Sequence, residues 1–143
     1  MPKNLTLTCE GCGTIFKTYP AEIAKGRKYC SRACRKASIE LRFWKRVIKT
    51  DTCWLWIGSI NSTGYGTVNL GVHTVGAHCY SWVITNGPIV KGLQVLHACD
   101  NPPCVNPAHL FLGTAIDNMR DCVAKHRWAN QYLSHRHACQ AMP

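Results

Sequence analysis

Acidic side chains are scarce in this chain. Seven Asp and Glu face seventeen Lys and Arg over 143 residues, a formal charge of +10. No apolar run approaches the ~18 residues that a membrane span needs, which excludes a spanning helix. The opening stretch MPKNLTLTCE has no apolar signal-peptide core. A secreted disulfide scaffold is therefore disfavoured, and an intracellular, cytoplasmic chain is expected. Internal repeats and low-complexity segments are also missing. What remains is a length suited to one compact domain with a small appendage, and ten cysteines. These features suggest a metal-stabilised protein with an anionic partner.

The charge is unevenly spread. Residues 1–50 hold twelve Lys or Arg against three Asp or Glu, whereas residues 51–143 hold five against four. The basic first third reads as a strap laid along a polyanion. Phosphate neutralisation would supply affinity without sequence information. A solvated basic face kept for solubility is the plainer alternative.

Cys9-Glu-Gly-Cys12 and Cys30-Ser-Arg-Ala-Cys34 are separated by seventeen residues. Two short-spaced thiolate pairs can complete one tetrahedral zinc site. Gly11 and Gly13 suit the tight turn at the first pair. The stretch resembles small treble-clef or knuckle-type zinc fingers. A helix is predicted from about Ser31 to Lys49, with Ala33, Ala37, Leu41, Trp44 and Ile48 as its packing stripe. Arg32, Arg35, Lys36, Arg42, Lys45, Arg46 and Lys49 fill its other faces and are candidate phosphate contacts. The organisation read from this pattern is a four-cysteine zinc finger at 1–34 and a basic linker helix at 35–50. A main domain at 51–127 and a tail at 128–143 complete it.

The main domain reads as α+β. Strands are predicted at 54–57, 65–70, 72–75, 93–98 and 110–112, with helices at 77–85 and 115–126. Thr114 can cap the last helix, with Asp117 in its first turn. Ile116, Met119 and Val123 form the predicted core stripe of that helix. Between the last two strands, Cys99, Cys104 and His109 fall at steps of five, stiffened by Pro102, Pro103 and Pro107. A closed zinc site needs a fourth donor. Cys53 and Cys79 are available, and Cys53, which precedes a Trp-rich strand, is preferred. His97 stands two residues before this cluster, and Asn118 lies in the first turn of the following helix.

The run from Leu96 to Asn118 resembles the HNH or His-Me finger (ββα-metal) nucleases, above all their His-Cys box homing group. His97, Cys99, Cys104, His109 and Asn118 match that group's spacing. Trp54-Leu-Trp56, Gly64-Tyr-Gly66, Ala77-His78 and Asn86-Gly-Pro-Ile89 also look like small phage HNH proteins. The resemblance covers residues 51–127. It implies a zinc-stabilised nuclease domain of the host cytoplasm that hydrolyses phosphodiester bonds in double-stranded DNA. It also implies His97 as general base, Asn118 as the ligand of one catalytic Mg2+, and a structural zinc on Cys99, Cys104 and His109 with Cys53. At least two zinc ions per chain are expected.

Three departures stand out. Leu96 occupies a slot where many HNH enzymes carry a second metal-binding Asp, and Thr67 and Cys79 stand where relatives often carry Arg. Arg120, Arg127 or the basic helix could supply the missing cation, although Arg120 is equally well a solvated charge. Each site residue has a plainer role: His97 as a zinc ligand, Asn118 as a helix-start hydrogen-bonding residue, and His73 and His78 as packed histidines. Cys122, His126, His135, His137 and Cys139 could build a third zinc site, or Cys122 could simply be buried beside a His-rich end. The competing function is a zinc-finger DNA-binding regulator with an inactive nuclease-like domain. A homodimer cutting both strands and a monomer nicking one are both compatible with the sequence.

Overall fold

The computed structural model describes residues 4–71 and 73–125, and the chain divides between Lys45 and Arg46 into two compact units. The first unit opens with a hairpin of β1 (Leu5–Thr8) and β2 (Ile15–Thr18) that the charge and cysteine patterns did not predict. Leu7 pairs with Phe16 and Leu5 with Thr18, and the Cys9–Cys12 turn joins the strands. Gly13 takes a φ of 72° in that turn, a region open to glycine. α1 (Pro20–Ala24) follows, with Pro where no N–H is required. The Glu22 carboxylate accepts from the Thr18 hydroxyl at 2.7 Å and from Arg27 at 2.6 Å, closing the turn around this short helix. α2 (Arg32–Trp44) starts at Ser31, whose side chain accepts the Cys34 N–H and so caps the helix at the second cysteine pair.

Two expectations about this helix need correction. It ends at Trp44, not Lys49. β3 (Val47–Lys49) pairs antiparallel with β4 (Trp54–Trp56), placing Ile48 opposite Leu55. The β-branched pair Val47-Ile48 fits a pleated strand better than a helix. The basic segment 35–50 is therefore part helix and part strand. Most of the stripe is also exposed: Ala33, Ala37, Leu41 and Ile48 face solvent, Trp44 is half-buried, and Phe43, outside the stripe, is the buried residue.

In the second unit, β5 (Thr67–Asn69) pairs with β6 (Thr74–Gly76), which runs directly into α3 (Ala77–Asn86). Gly87, at φ 93°, ends that helix ahead of Pro88. Asn61 shapes the loop before β5, its side-chain oxygen accepting the N–H groups of Thr63 and Tyr65 at 3.0 and 2.9 Å. Gly58 and Gly66 lie against the buried Trp56 ring, and a Cβ at either would overlap it. Gly66→Ala should therefore destabilise the protein by about 1–3 kcal/mol, the usual cost of overpacking. Urea unfolding measures this, and an unchanged midpoint would show that the ring has room to move.

β7 (Gln94–His97) and β8 (Leu110–Gly113) form the last hairpin, with Leu96 opposite Phe111 and His97 opposite Leu110. Its long connection ends in a 3-10 turn, Pro107–His109. Cys79, Val95 and Leu110 make a core between α3 and this hairpin, with Trp82, Ile89 and Leu112 packed on it. α4 (Ala115–Ala124) leaves β8 through the predicted cap. The Thr114 hydroxyl accepts the Asp117 N–H, and the Asp117 carboxylate accepts the Thr114 N–H at 2.8 Å. The result is a ββα unit in a small α+β chain. Ile116, Met119 and Val123 are not its core stripe: they are 57%, 45% and 45% exposed, and no residue of α4 is buried. The helix instead turns Asn118, Asp121 and Cys122 inward. No helix among the described residues is long and apolar enough to cross a membrane.

Candidate metal centres and active site

Two groups of soft donors converge. In the first unit the sulfurs of Cys9, Cys12, Cys30 and Cys34 all lie within 4.8 Å of one another. Cys30 is 3.7 Å from Cys12 and 3.4 Å from Cys34. In the second unit Cys53, Cys99, Cys104 and His109 meet the same limit, with the Cys53 and Cys104 sulfurs each 3.7 Å from His109 Nδ1. A tetrahedral zinc with Zn–S bonds near 2.3 Å sets its ligands about 3.8 Å apart. Both clusters fit that edge, and both could hold such an ion.

Proton chemistry supports the same fit. The Cys30 backbone N–H beside its sulfur holds the Cys9 thiol down to about 6. Sharing with the Cys34 sulfur pushes Cys30 up to about 12. In the second cluster the Asn101 side chain lowers Cys53, while burial pushes Cys104 up to about 12 and raises Cys99. Four thiols in the first cluster, or three beside an imidazole in the second, cannot all ionise alone at this spacing. A bound dication removes that conflict by compensating the negative charge.

The backbone brings Cys53 to ligands about fifty residues away. The Trp56 N–H donates to the Pro103 carbonyl at 2.9 Å and the Val105 N–H to the Trp54 carbonyl at 2.8 Å. The 101–106 loop thus pairs along β4, next to Cys53. Asn106 completes the junction, and the sequence reading missed it. Its amide donates to the Thr52 carbonyl at 3.0 Å, its oxygen accepts from the Ala108 N–H, and its own N–H approaches the Cys104 sulfur. An Asn between two ligand positions and before a Pro was the available signal. Cys79, the other sulfur weighed for this cluster, is fully buried beside His78 Nε2 at 3.2 Å.

His97 ends β7 half-buried. Its Nε2 lies 2.8 Å from the carbonyl oxygen of Cys104. A carbonyl only accepts, so Nε2 carries the proton and the neutral ring's lone pair sits on Nδ1. Burial lowers its pKa and so favours that neutral form, partly opposed by the carbonyl bond, which raises it. His78 and Tyr65, both buried, pack around it: the ring centroids of His78 and His97 are 4.9 Å apart, and those of Tyr65 and His97 5.8 Å. His73 is exposed.

Asn118 lies half-buried in the first turn of α4, the helix that packs on β8. Leu96 is buried at 4% exposure, and the Thr67 hydroxyl donates to the Ser59 carbonyl. The candidate phosphate contacts Arg32, Arg35, Lys36, Arg42, Lys45, Arg46, Lys49 and Arg120 are all exposed. Lys49 rests 4.0 Å over the Trp54 ring, a cation–π contact. Arg127 and the donors proposed for a third zinc, apart from Cys122, lie outside the described residues.

Comparison with known proteins points to one class of chemistry. Residues 75–120 match the family model of HNH endonucleases, a span holding His97, Cys99, Cys104, His109 and Asn118 but not Cys53. Protein 7.7 of Escherichia phage T7 is 43% identical over 79 residues, covering 55% of this chain and 61% of that protein. Protein 2.8 of the same phage is 42% identical over 80 residues, 56% of this chain and 55% of that protein. The chain thus spans little more than half the length of these curated relatives. The segment 75–120, which holds the histidine, the cysteine-rich loop and the start of α4, is of the HNH endonuclease type.

Proposed function

We propose that this protein is a metal-dependent DNA endonuclease that hydrolyses phosphodiester bonds, with His97 as general base and Asn118 as the protein ligand of one Mg2+. The observation that carries the reading is the Nε2–Cys104 carbonyl bond inside the matched span. It turns an unprotonated Nδ1 into the natural acceptor for the proton of an attacking water. Imidazole suits the task because it holds and releases a proton near neutral pH. The Asn118 amide oxygen is a hard donor, and a single protein oxygen suits Mg2+, which keeps several waters and accepts phosphate oxygens. When bound, such an ion stabilises charge that develops on the scissile phosphate and the leaving oxygen.

The two thiolate-rich clusters take structural zinc under this reading. The second cluster has a further part, because its Cys104 carbonyl fixes the tautomer of His97. The exposed cations of α2 and β3 would meet phosphates and raise affinity without reading sequence. The phage source of the relatives favours a host-cytoplasm setting, and the enzyme would be of the small phage or homing HNH type. A dimer would cut both strands and a monomer would nick.

One observation favours a second reading. Neither Thr67 nor Cys79 supplies a cation, so the fold could serve an inactive DNA-binding regulator. Supercoiled-plasmid cleavage decides between them. The zinc-loaded protein should nick or linearise plasmid with Mg2+ and stop when Mg2+ is omitted, and Asn118→Ala should need more Mg2+ for the same rate. Binding without cleavage at any divalent concentration would establish the regulator.

A further inference from the structure

α4 carries Asn118, yet little apolar burial holds it in place. None of its residues is buried, and Ile116, Met119 and Val123 face solvent. Its N-terminal end is set by direct continuation from β8 and by the Thr114–Asp117 cap. Its C-terminal end is set by charge. Lys125 Nζ lies 3.1 and 2.9 Å from the two carboxylate oxygens of Asp100 and 2.9 Å from Asp121 Oδ1. Asp100 belongs to the 98–109 connection, directly after Cys99, and takes a left-handed φ of 56°. Asn118, Asp121 and Lys125 follow at steps of three and four, so they share one face of the helix. The face that presents Asn118 is therefore the one tied to the cysteine loop, and that loop's Cys104 carbonyl holds His97.

We propose that Lys125 is a positioning residue: its bridge between Asp100 and Asp121 holds α4 against the metal loop and so sets Asn118 relative to His97. The inference rests on the reading of Asn118 as the Mg2+ ligand. All three side chains are about one-third exposed, so water screens each pair. The bridge works as a three-group network across two segments, and ordering one cation serves two carboxylates. Its contribution is geometric, since among the described residues no buried side chain of α4 restrains its C-terminal half.

The test uses the full zinc-loaded chain with Lys125→Met, Lys125→Arg, Asp100→Asn and Asn118→Ala. Four quantities are read: zinc content, amide exchange of 115–124, the Mg2+ concentration for half-maximal plasmid cleavage, and the rate at saturating Mg2+. Lys125→Met and Asp100→Asn should keep the wild-type zinc content. Both should speed exchange in α4 and raise the Mg2+ midpoint by about three- to tenfold, the scale of a small exposed ion-pair network. Combining them should add little, because they break one network. Lys125→Arg should restore both readouts. If Asn118→Ala raises the Mg2+ midpoint while Lys125→Met leaves it at the wild-type value, the positioning role is overturned and the Asn118 reading stands. Faster exchange with no change in Mg2+ midpoint or rate would overturn it equally, leaving Lys125 as a purely structural restraint. If Asn118→Ala cleaves like the wild type, the Asn118 reading fails and takes the positioning role with it.

Discussion

His97→Ala should lower phosphodiester cleavage by about 10²–10⁴-fold, the usual loss on removing a general base. The zinc content and DNA affinity should not change. The selectivity follows from where the ring sits. It contributes one hydrogen bond, to the Cys104 carbonyl, and packs on His78 and Tyr65. In the proposed role its Nδ1 would act only when the attacking water loses a proton, so its loss should weaken the transition state far more than ground-state binding. Single-turnover cleavage at saturating Mg2+ gives the rate, and filter binding to the same duplex gives the affinity. A variant that unfolds and loses zinc would make His97 a structural ligand. A variant that folds and cleaves at the wild-type rate would move the base elsewhere.

Cys104→Ala should have the opposite profile, losing one zinc per chain together with the folded second unit. Cys104 is fully buried and 3.7 Å from His109 Nδ1, and its flanking backbone pairs with β4. A structural zinc contributes on the order of 10 kcal/mol to folding, comparable to the whole stability of a small domain. Removing one of four donors also leaves the Cys53 and Cys99 thiols crowded beside each other. Cys12→Ala should likewise lose one zinc, but the amide-exchange protection of β7 and β8 should survive. Elemental analysis with exchange mapping separates the two. Two zinc ions retained in Cys104→Ala would show that the second cluster holds its metal without Cys104.

Much of the chemistry is local and was legible in the sequence. Thiolate pairs at short spacing, three donors at steps of five, and a histidine two residues before them report donor type and reach, which depend on the neighbouring chain alone. The capping of α4 by Thr114 and Asp117 is legible for the same reason, since a cap is satisfied within one turn.

What only the tertiary structure decided are choices between equally good local options. Periodicity in α2 and α4 identifies an apolar stripe but not the face that is covered: in α4 the residues turned inward are others, and in α2 only Trp44 of the stripe is partly covered. Val47 and Ile48 can extend a helix or pair as a strand, and β4 decides by offering backbone partners at the right register. Whether a distant sulfur joins Cys99, Cys104 and His109 depends on backbone hydrogen bonds between β4 and the 101–106 loop, which no spacing within the motif encodes. The tautomer of His97 depends on a carbonyl seven residues later folding back to within 2.8 Å. Sequence by itself determined which groups could do the chemistry. Long-range packing and hydrogen bonding determined which atoms face each other, because those contacts join segments that local preferences leave independent.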